Sequence, residues 1–369
     1  MASNKEPEQS GAQNDAIEGD SAPSDEVSSP ANLTKKSADP AADDSVGGAA
    51  SGRVLTNEQR REAAKRKLAE RLDRERAAAR KRKILISTIS GVVVIAVVAT
   101  ATYFIVDKIQ TDRFNAAHTT CQYDKQDSNF KQIPTSVPAE IKDPAQRELF
   151  QEQIDKVRAG ESKQRTSPMP DTTQAKDGTS TLTLSTTQGA VPVDLNRTGA
   201  PCNTGAIISL ADHGYYNDSP CHRMTTAALK VLQCGDPTGT GLGQPGWTSP
   251  DEPPTDLKPA GQPNPQSGQQ PVTYPRGTVA IANSGSPQQG APNSGGSAQF
   301  FILIQDGTLP SSYAVVGKVN PTGMKVIDKV YAGGVNPGIG PNQMTGAYER
   351  TADDGSPKLP MTIETAKVS

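Results

Sequence analysis

The residues that could do chemistry in this sequence are concentrated in three stretches of its second half. The first, Ser219–Gly243, contains a single arginine, Arg223, together with Gln233. Two later blocks, AIANSG (280–285) and SAQFFIL (297–303), add an asparagine, a second glutamine and two phenylalanines. Guanidinium and amide groups bind peptide backbone, whereas this set offers little for acid–base or nucleophilic catalysis. The pattern therefore predicts a peptide-binding site whose function depends on Arg223.

Other classes of catalytic and binding site lack their usual motifs. There is no GxSxG motif, and the glycines of GDPTGTGLGQPG (235–246) are followed by neither a Walker lysine nor a helix pattern. The four cysteines and three histidines contain no CxxC spacing. Cys221 and His222 are neighbours on a predicted strand, so their side chains should point to opposite faces and cannot share a proton. We therefore expect no metal and no cofactor.

The composition places much of the chain outside a folded core. Only 34% of the 369 residues are hydrophobic and 4% are aromatic, which is low for a wholly globular protein. The net charge of −2 conceals two opposite blocks, because residues 1–55 hold ten acidic and four basic residues, whereas residues 57–83 hold twelve basic and five acidic ones. The first block has almost no large apolar side chains, so residues 1–55 are predicted to form a disordered acidic tail.

A basic cytoplasmic helix is predicted over residues 56–83. The capping-box pattern Thr56-Asn57-Glu58-Gln59 opens a run without glycine or proline that is rich in alanine, arginine, lysine and glutamate. Its apolar stripe is weak, which favours a solvated or lipid-associated helix over a coiled coil. No aromatic residue is interleaved with these basic side chains, so no nucleic-acid partner is expected.

An apolar segment at residues 84–106 has the length and composition of a transmembrane helix. Its 23 residues carry no charge. At about 1.5 Å per residue they would cover a hydrocarbon core of about 30 Å. The basic flank 79–83 precedes the segment, so the positive-inside rule predicts a single-pass cell-membrane protein with a cytoplasmic N-terminus and an extracytoplasmic C-terminal domain.

The polar, proline-containing residues 107–178 are predicted to form an extracytoplasmic stalk with one helix at 144–159. Alternation then resumes, because Leu182 and Leu184 precede a Gln188-Gly189 turn and apolar residues at 191, 193 and 195, which is typical of a β-hairpin. Further strands are predicted at 222–225, 230–234, 278–282, 298–304, 313–319 and 360–365, and helices at 203–211 and near 324–331. The roughly 40 residues after Cys234, rich in proline and glycine, are expected to be surface loop. The pattern predicts a mostly β fold, an antiparallel barrel capped by two helices.

The four cysteines, at positions 121, 202, 221 and 234, all follow the apolar segment. They would lie in the compartment where disulfides persist. A hairpin of the strands near 222 and 234 would bring Cys221 opposite Cys234, but a bond from Cys202 to either of these remains equally open. The sequence does not choose between these pairings.

Five motifs together resemble the cyclophilin peptidyl-prolyl isomerases, and most closely the membrane-anchored cyclophilins of actinobacteria. They are CHRM (221–224), QCGDPTGTGLGQPG (233–246), RGTVAIANSG (276–285), SAQFFIL (297–303) and YAVVGKV (313–319). The resemblance covers about 179–368. It implies an eight-stranded antiparallel barrel with two capping helices over residues 179–369, and a monomer that isomerises X-Pro bonds in exported or cell-envelope proteins. Its partners would be proline-containing polypeptides.

The resemblance also implies roles for individual residues. Arg223 matches the catalytic arginine, which hydrogen-bonds the prolyl nitrogen. The other matching positions are substrate-binding: Phe301 as the floor of the proline pocket, Val231 and Leu309 as walls, Gln233 and Gln299 as substrate-holding amides, Ala282 and Asn283 as the groove edge, and Tyr313 in place of a pocket histidine.

Several positions depart from the family pattern. The usual pocket phenylalanine falls at Lys230 or Leu229, and the tryptophan of many members is replaced by Thr308. These changes reduce the apolar wall of the pocket. They motivate an alternative function, a catalytically weak or inactive peptide-binding or chaperone module tethered to the membrane. A third possibility is a membrane scaffold whose partner binds residues 57–83.

Overall fold

The computed structural model describes residues 56–265, 268–283, 293–342 and 345–369. The predicted acidic tail, residues 1–55, lies outside these ranges, as do residues 284–292. The chain divides into two compact units, Met1–Thr88 and Ile89–Ser369. The β structure belongs to the second unit.

Helix α1 (Asn57–Ala117) is a single helix of 61 residues with no buried side chain. The predicted capping box is present, since the backbone N–H of Gln59 donates to Thr56 Oγ1 at 3.4 Å and the backbone N–H of Thr56 donates to Gln59 Oε1 at 3.1 Å. The basic stretch and the apolar stretch are continuous within α1. It contains a window with a mean hydropathy of 2.5, and within the described ranges it is the one helix with the length and composition to cross a membrane.

The structure confirms a mostly β fold with helices beyond α1. These are a short 3-10 helix (Asn129–Gln132), α2 (Pro144–Glu161), α3 (Pro201–Asp212) and α4 (Pro321–Ala332). The described residues form the strands β1 (His118–Thr120), β2 (Asp124–Lys125), β3 (Thr173–Ala175), β4 (Thr179–Thr186), β5 (Gly189–Asn196), β6 (Ser219–Pro220), β7 (Arg223–Thr225), β8 (Val231–Cys234), β9 (Trp247–Thr248), β10 (Lys258–Pro259), β11 (Pro271–Tyr274), β12 (Thr278–Ile281), β13 (Phe300–Leu303), β14 (Gly307–Pro310), β15 (Val315–Val319), β16 (Val335–Pro341), β17 (Tyr348–Pro357) and β18 (Thr362–Val368).

Eleven of these strands form one antiparallel sheet in the order β16-β17-β7-β8-β13-β12-β15-β5-β4-β18-β6. The predicted hairpin is β4–β5, with Thr186 opposite Gly189 at the turn. Its alternating residues Leu182, Leu184 and Val191 are at most 2% exposed, as expected of a strand with one face on the core. Among the described residues the end strands β16 and β6 are not hydrogen-bonded to each other, so the closed eight-stranded barrel stays a prediction.

The core has two parts. The larger cluster lies between the sheet and the helices α3 and α4, which bury Ile207, Leu210, Ile327 and Val330 among its members. Helix α4 begins where the Asn320 side chain accepts from the Gly323 N–H, with Pro321 in its first turn. The smaller cluster contains buried Val231, Val272, Tyr274, Ala280, Phe301 and Leu303. It supports the pocket described below.

The expectation of a surface loop after Cys234 is wrong for residues 235–249. Asp236, Trp247 and Ser249 are each at most 2% exposed. The Trp247 indole N–H donates to the Ser167 carbonyl at 3.1 Å, and β9 pairs with β2. The glycines and prolines indicated irregular backbone correctly, but this backbone is covered by residues 118–170.

The four cysteines form two disulfides, Cys121–Cys202 and Cys221–Cys234, so no cysteine in the described residues is free. The second was one of the pairings left open by the sequence, whereas Cys202 bonds to Cys121 and not to the hairpin. The Tyr123 hydroxyl donates to the Cys202 carbonyl at 2.9 Å, next to the first disulfide. The segment before residue 179 is therefore attached to the β structure covalently and by hydrogen bonds.

Candidate functional site

A cavity of about 200 Å³ opens beside β7, β8 and β13. It is lined by Arg223, Leu229, Val231, Gln233, Ala282, Asn283, Phe301, Leu309 and Tyr313. Eight of the nine residues predicted from the sequence thus surround one pocket. The ninth, Gln299, does not line it but contacts Gln233 from the position just before β13. Strand pairing explains the grouping, because Arg223 lies opposite Gln233 across β7–β8, and Gln233 lies opposite Phe301 across β8–β13.

The floor of the pocket is aromatic. The ring of Phe301, which is 6% exposed, packs edge to face with the ring of Tyr313 at a centroid distance of 5.4 Å. The Tyr274 hydroxyl donates to the Tyr313 carbonyl at 3.2 Å from below. Burial raises the pKa of Tyr313, an effect that the nearby Arg223 partly offsets, so its hydroxyl stays protonated at neutral pH. The floor of the pocket, formed by Phe301 and Tyr313, is therefore aromatic and uncharged.

Arg223 lies at the rim with its guanidinium held on two sides. Its Nε and Nη2 donate to the two carboxylate oxygens of Asp354 at 2.8 and 2.7 Å. Its Nη1 donates to Gln233 Oε1 at 3.3 Å. The hydrogen bond to Asp354 is the main cause that raises the pKa of Arg223. The side chain thus carries a permanent charge in a fixed orientation although it is 44% exposed.

A chain of amide hydrogen bonds determines which atom of Gln233 faces the arginine. Gln299 Nε2 donates to the carbonyls of Gly241 and Gly243 at 2.9 and 3.0 Å, which leaves its Oε1 to accept from Gln233 Nε2 at 3.0 Å. A carbonyl oxygen can accept a hydrogen bond but cannot donate one, so neither side-chain amide can be reversed without losing bonds. The oxygen of Gln233 must therefore point toward the guanidinium of Arg223.

Asp236 organises the loop that begins this chain. Its carboxylate is fully buried and accepts from the backbone N–H groups of Thr238, Thr240 and Gly241 at 2.8, 3.1 and 2.6 Å. A Cβ atom at Gly243 would overlap this carboxylate, so the position requires glycine. The loop thereby holds the two carbonyls that orient Gln299.

The sequence patterns did not indicate the roles of Asp236 and Asp354, and they did not assign Leu229 alone to the wall of the pocket. Asp354 is the most important of these residues. Asp354 is 131 residues from Arg223 and lies in an unremarkable polar stretch, so no local pattern indicates its role. Leu229 was one of two candidates for the pocket position, and the structure favours it. The Lys230 ammonium instead donates to Gln305 Oε1 at 3.0 Å. Thr308 is exposed on β14, opposite Thr273.

The family model described as "Cyclophilin type peptidyl-prolyl cis-trans isomerase/CLD" matches residues 181–368. A probable peptidyl-prolyl cis-trans isomerase B of Mycobacterium leprae is 39% identical over 191 residues, 52% of this chain and 57% of the relative. Its namesake from Mycobacterium tuberculosis is 37% identical over 183 residues, 49% and 52% of the two chains. The chain thus spans about half the length of these curated relatives.

Among solved structures, a cyclophilin type peptidyl-prolyl cis-trans isomerase of Cryptosporidium parvum is similar with 21% identity and a TM-score of 0.35. The similarity covers 52% of this chain and 98% of that protein. A cyclophilin from Hirschia baltica is similar with 18% identity and a TM-score of 0.30.

Proposed function

Because the chain belongs to the cyclophilin-type peptidyl-prolyl cis-trans isomerase family, we propose that residues 179–369 catalyse the cis–trans isomerisation of X-Pro bonds. The observation that carries this proposal is the position of Arg223, whose guanidinium is fixed by Asp354 and Gln233 at the rim of an aromatic-floored pocket. The names of the similar mycobacterial proteins agree with this activity.

The proposed mechanism stabilises the twisted amide. Rotation about an X-Pro bond breaks amide resonance and has a barrier of about 18–20 kcal/mol. At the top of this barrier the lone pair localises on the prolyl nitrogen, which becomes a hydrogen-bond acceptor. The bonds to Gln233 and Asp354 use one N–H of each terminal guanidinium nitrogen, so a second N–H on Nη1 and on Nη2 can be donated to substrate. This bond forms only in the twisted state and so lowers the barrier.

The remaining pocket residues would bind the substrate. Phe301, Val231 and Leu309, with Leu229, would surround the proline ring, and Tyr313 would close the pocket beside Phe301. Ala282 and Asn283 would bind the residue before proline, and Gln233 and Gln299 would hold its backbone. No proton is transferred in this mechanism, which suits a guanidinium that stays charged.

We place this domain outside the cell membrane. Residues 84–106 of α1 would cross the bilayer once, with residues 1–83 in the cytoplasm and residues 107–178 between membrane and catalytic domain. The apolar window of α1, the preceding basic residues and the two disulfides after it support this arrangement. The substrates would then be exported or cell-envelope proteins, whose folding the enzyme would assist.

A second function, peptide binding without appreciable catalysis, is favoured by one observation. The carboxylate of Asp354 partly neutralises the guanidinium through two hydrogen bonds, which weakens the field that Arg223 can direct at the prolyl nitrogen. The exposed Thr308 also leaves that side of the pocket without an aromatic wall. Such a site would bind proline peptides and act as a membrane-tethered chaperone.

Replacement of Arg223 by alanine tests the proposed catalysis. We expect the full-length Arg223→Ala protein in detergent micelles to lose at least tenfold in kcat/KM in a protease-coupled prolyl isomerase assay. Arg276→Ala is the matched control, because Arg276 also donates to both oxygens of a carboxylate, that of Asp328, but does not line the proline pocket. Equal rates for wild type and Arg223→Ala would contradict a catalytic arginine.

A further inference from the structure

The segment that precedes the family domain forms part of the groove beside the proline pocket. It lies before residue 181, where the match to the family begins. Strand β2 pairs with β9, the Gln126 N–H donates to the Gly246 carbonyl at 3.0 Å, and the Gln244 side chain donates to the Asp127 carbonyl at 2.5 Å. These contacts, together with the Cys121–Cys202 disulfide, fix residues 121–132 against the loop that follows β8.

A second cavity, of about 410 Å³, lies where this segment meets the domain. It shares Gln233, Ala282 and Asn283 with the proline pocket, so the two cavities are adjacent. Gln126, Asn129 and Gln132 of the preceding segment form one wall, and Gln244 and Gln299 lie in the other. A peptide with its proline ring on Phe301 would therefore place a neighbouring side chain in this second cavity.

The lining of the second cavity is chemically uniform. Of the fourteen described lining residues, eight carry an amide side chain and none carries a charged one. Amide groups both donate and accept hydrogen bonds, so they can satisfy a hydroxyl or another amide in either orientation. A large apolar side chain would remove these amides from water without replacing their hydrogen bonds, and a charged one would find no counter-ion among the lining residues.

From this geometry we infer that the second cavity selects a polar, uncharged side chain next to the proline, and that Gln126, Asn129 and Gln132 determine this selection. The inference depends on the proposed function in one respect, which is that the ligand is a proline-containing peptide. The preferred substrates are X-Pro segments flanked by asparagine, glutamine, serine or threonine.

Peptide affinity tests this inference separately from catalysis. The probes are five-residue peptides with a central proline, acetylated and amidated at their ends, that carry glutamine, leucine, aspartate or lysine on either side of the proline. Their Kd values are measured by calorimetry with the full-length protein in detergent micelles. At one of the two flanking positions we expect the glutamine peptide to bind about fivefold more tightly than the leucine peptide. A fivefold difference in Kd corresponds to about one additional satisfied hydrogen bond.

The double variant Gln126→Leu, Gln132→Leu should lose this preference and keep its affinity for the leucine peptide. Gln151→Leu is the matched control, because Gln151 lies on α2 of the same segment but does not line the second cavity. Its side chain bonds to Asp155, and its loss should leave the preference unchanged. Equal affinities for all probes, or a preference that survives the double variant, would overturn the inference. Normal selectivity without accelerated isomerisation would instead contradict the proposed catalysis and leave the inference standing.

Discussion

Arg223 is positioned by two partners of different kinds. Asp354 supplies a carboxylate that binds two guanidinium nitrogens, and Gln233 supplies an oxygen whose direction is set through Gln299. A long side chain that is partly exposed would otherwise sample many rotamers, and ordering it at the moment of catalysis would cost free energy. The ion pair thus orders the proposed catalytic group before substrate binds, and the carboxylate also partly neutralises its charge.

Replacement of Asp354 should separate these two effects. We expect Asp354→Ala to lower kcat by about tenfold with little change in KM, since the guanidinium loses its orientation but the pocket remains. Asp354→Asn retains an acceptor and should recover most of the activity. Glu152→Ala is the control, because Glu152 forms a similar bidentate pair with Arg350 on the same strand, β17. If Asp354→Ala were more active than wild type, charge neutralisation would be the dominant effect.

His222, the neighbour of Arg223, should make stability depend on pH. Burial lowers its pKa to about 4, with Arg223 and Lys156 acting in the same direction and Asp236 opposing them. Above about pH 6.5 the ring is neutral in both states, whereas below it the unfolded chain takes up a proton that the folded protein does not. Stability should therefore fall as the pH is lowered from about 6.5 toward 4.

Denaturant unfolding at pH 7.5 and at pH 5 measures this effect. Trp247, which is buried and is the only tryptophan in the sequence, reports the transition. Wild type should lose about 2 kcal/mol more than His222→Gln between the two pH values, the part of the free energy of its pKa shift that is lost between about pH 6.5 and pH 5. The exposed His213→Gln is the control and should behave as wild type. An identical loss in wild type and His222→Gln would show that His222 has no such role.

The types of the site residues could be predicted from the sequence, but their partners could not. Arg223, Gln233 and Phe301 lie within motifs whose order along the chain indicates the protein family. Asp354 and Asp236 act through contacts that a linear pattern does not show, because one carboxylate in a polar stretch resembles any other. Burial of polar backbone around Asp236 depends on hydrogen bonds that are made only after folding.

At the scale of elements, strands with strict alternation were predictable and irregular segments were not. The hairpin β4–β5 follows from its apolar alternation and its turn. Residues 235–249 have the composition of a surface loop. They are nevertheless covered by residues 118–170, which end more than 60 residues earlier in the sequence. No periodicity links these two segments, so only the structure shows that they pack together.

The two disulfides should contribute unequally to stability. Cys121–Cys202 closes a loop with a sequence separation of 81 residues, and Cys221–Cys234 one of 13. In the chain-entropy model of the unfolded state, their loss should cost about 4.5 and about 3 kcal/mol respectively. Denaturant unfolding of the variants Cys121→Ser, Cys202→Ser and Cys221→Ser, Cys234→Ser measures the difference. A larger loss for the shorter loop would mean that native contacts, and not loop length, decide the contribution.

At the scale of the whole molecule, the charge blocks and the apolar part of α1 determine the expected topology. The division into tail, basic helix, span, stalk and catalytic domain remains a proposal. It places the proline pocket on the opposite side of the membrane from residues 1–83. Residues 118–170 are attached to the β structure, so the predicted stalk would do more than separate the proposed catalytic domain from the membrane.

Cysteine labelling tests this topology directly. A cysteine introduced by Ser369→Cys should react with a membrane-impermeant maleimide on intact cells. A cysteine introduced by Ser24→Cys should react only after lysis. Wild type is the control, since its four cysteines are all disulfide-bonded. The reverse pattern of labelling would contradict an extracytoplasmic catalytic domain.

Exchange NMR measures whether Arg223 lowers the barrier to prolyl rotation. The rate of cis–trans interconversion of a proline peptide is measured in the presence of wild-type protein or of Arg223→Ala, and binding is followed in the same spectra. We predict rapid interconversion with wild type, and binding without acceleration for Arg223→Ala. Wild-type protein that binds the peptide and leaves its rate of interconversion unchanged would exclude a catalytic role for Arg223.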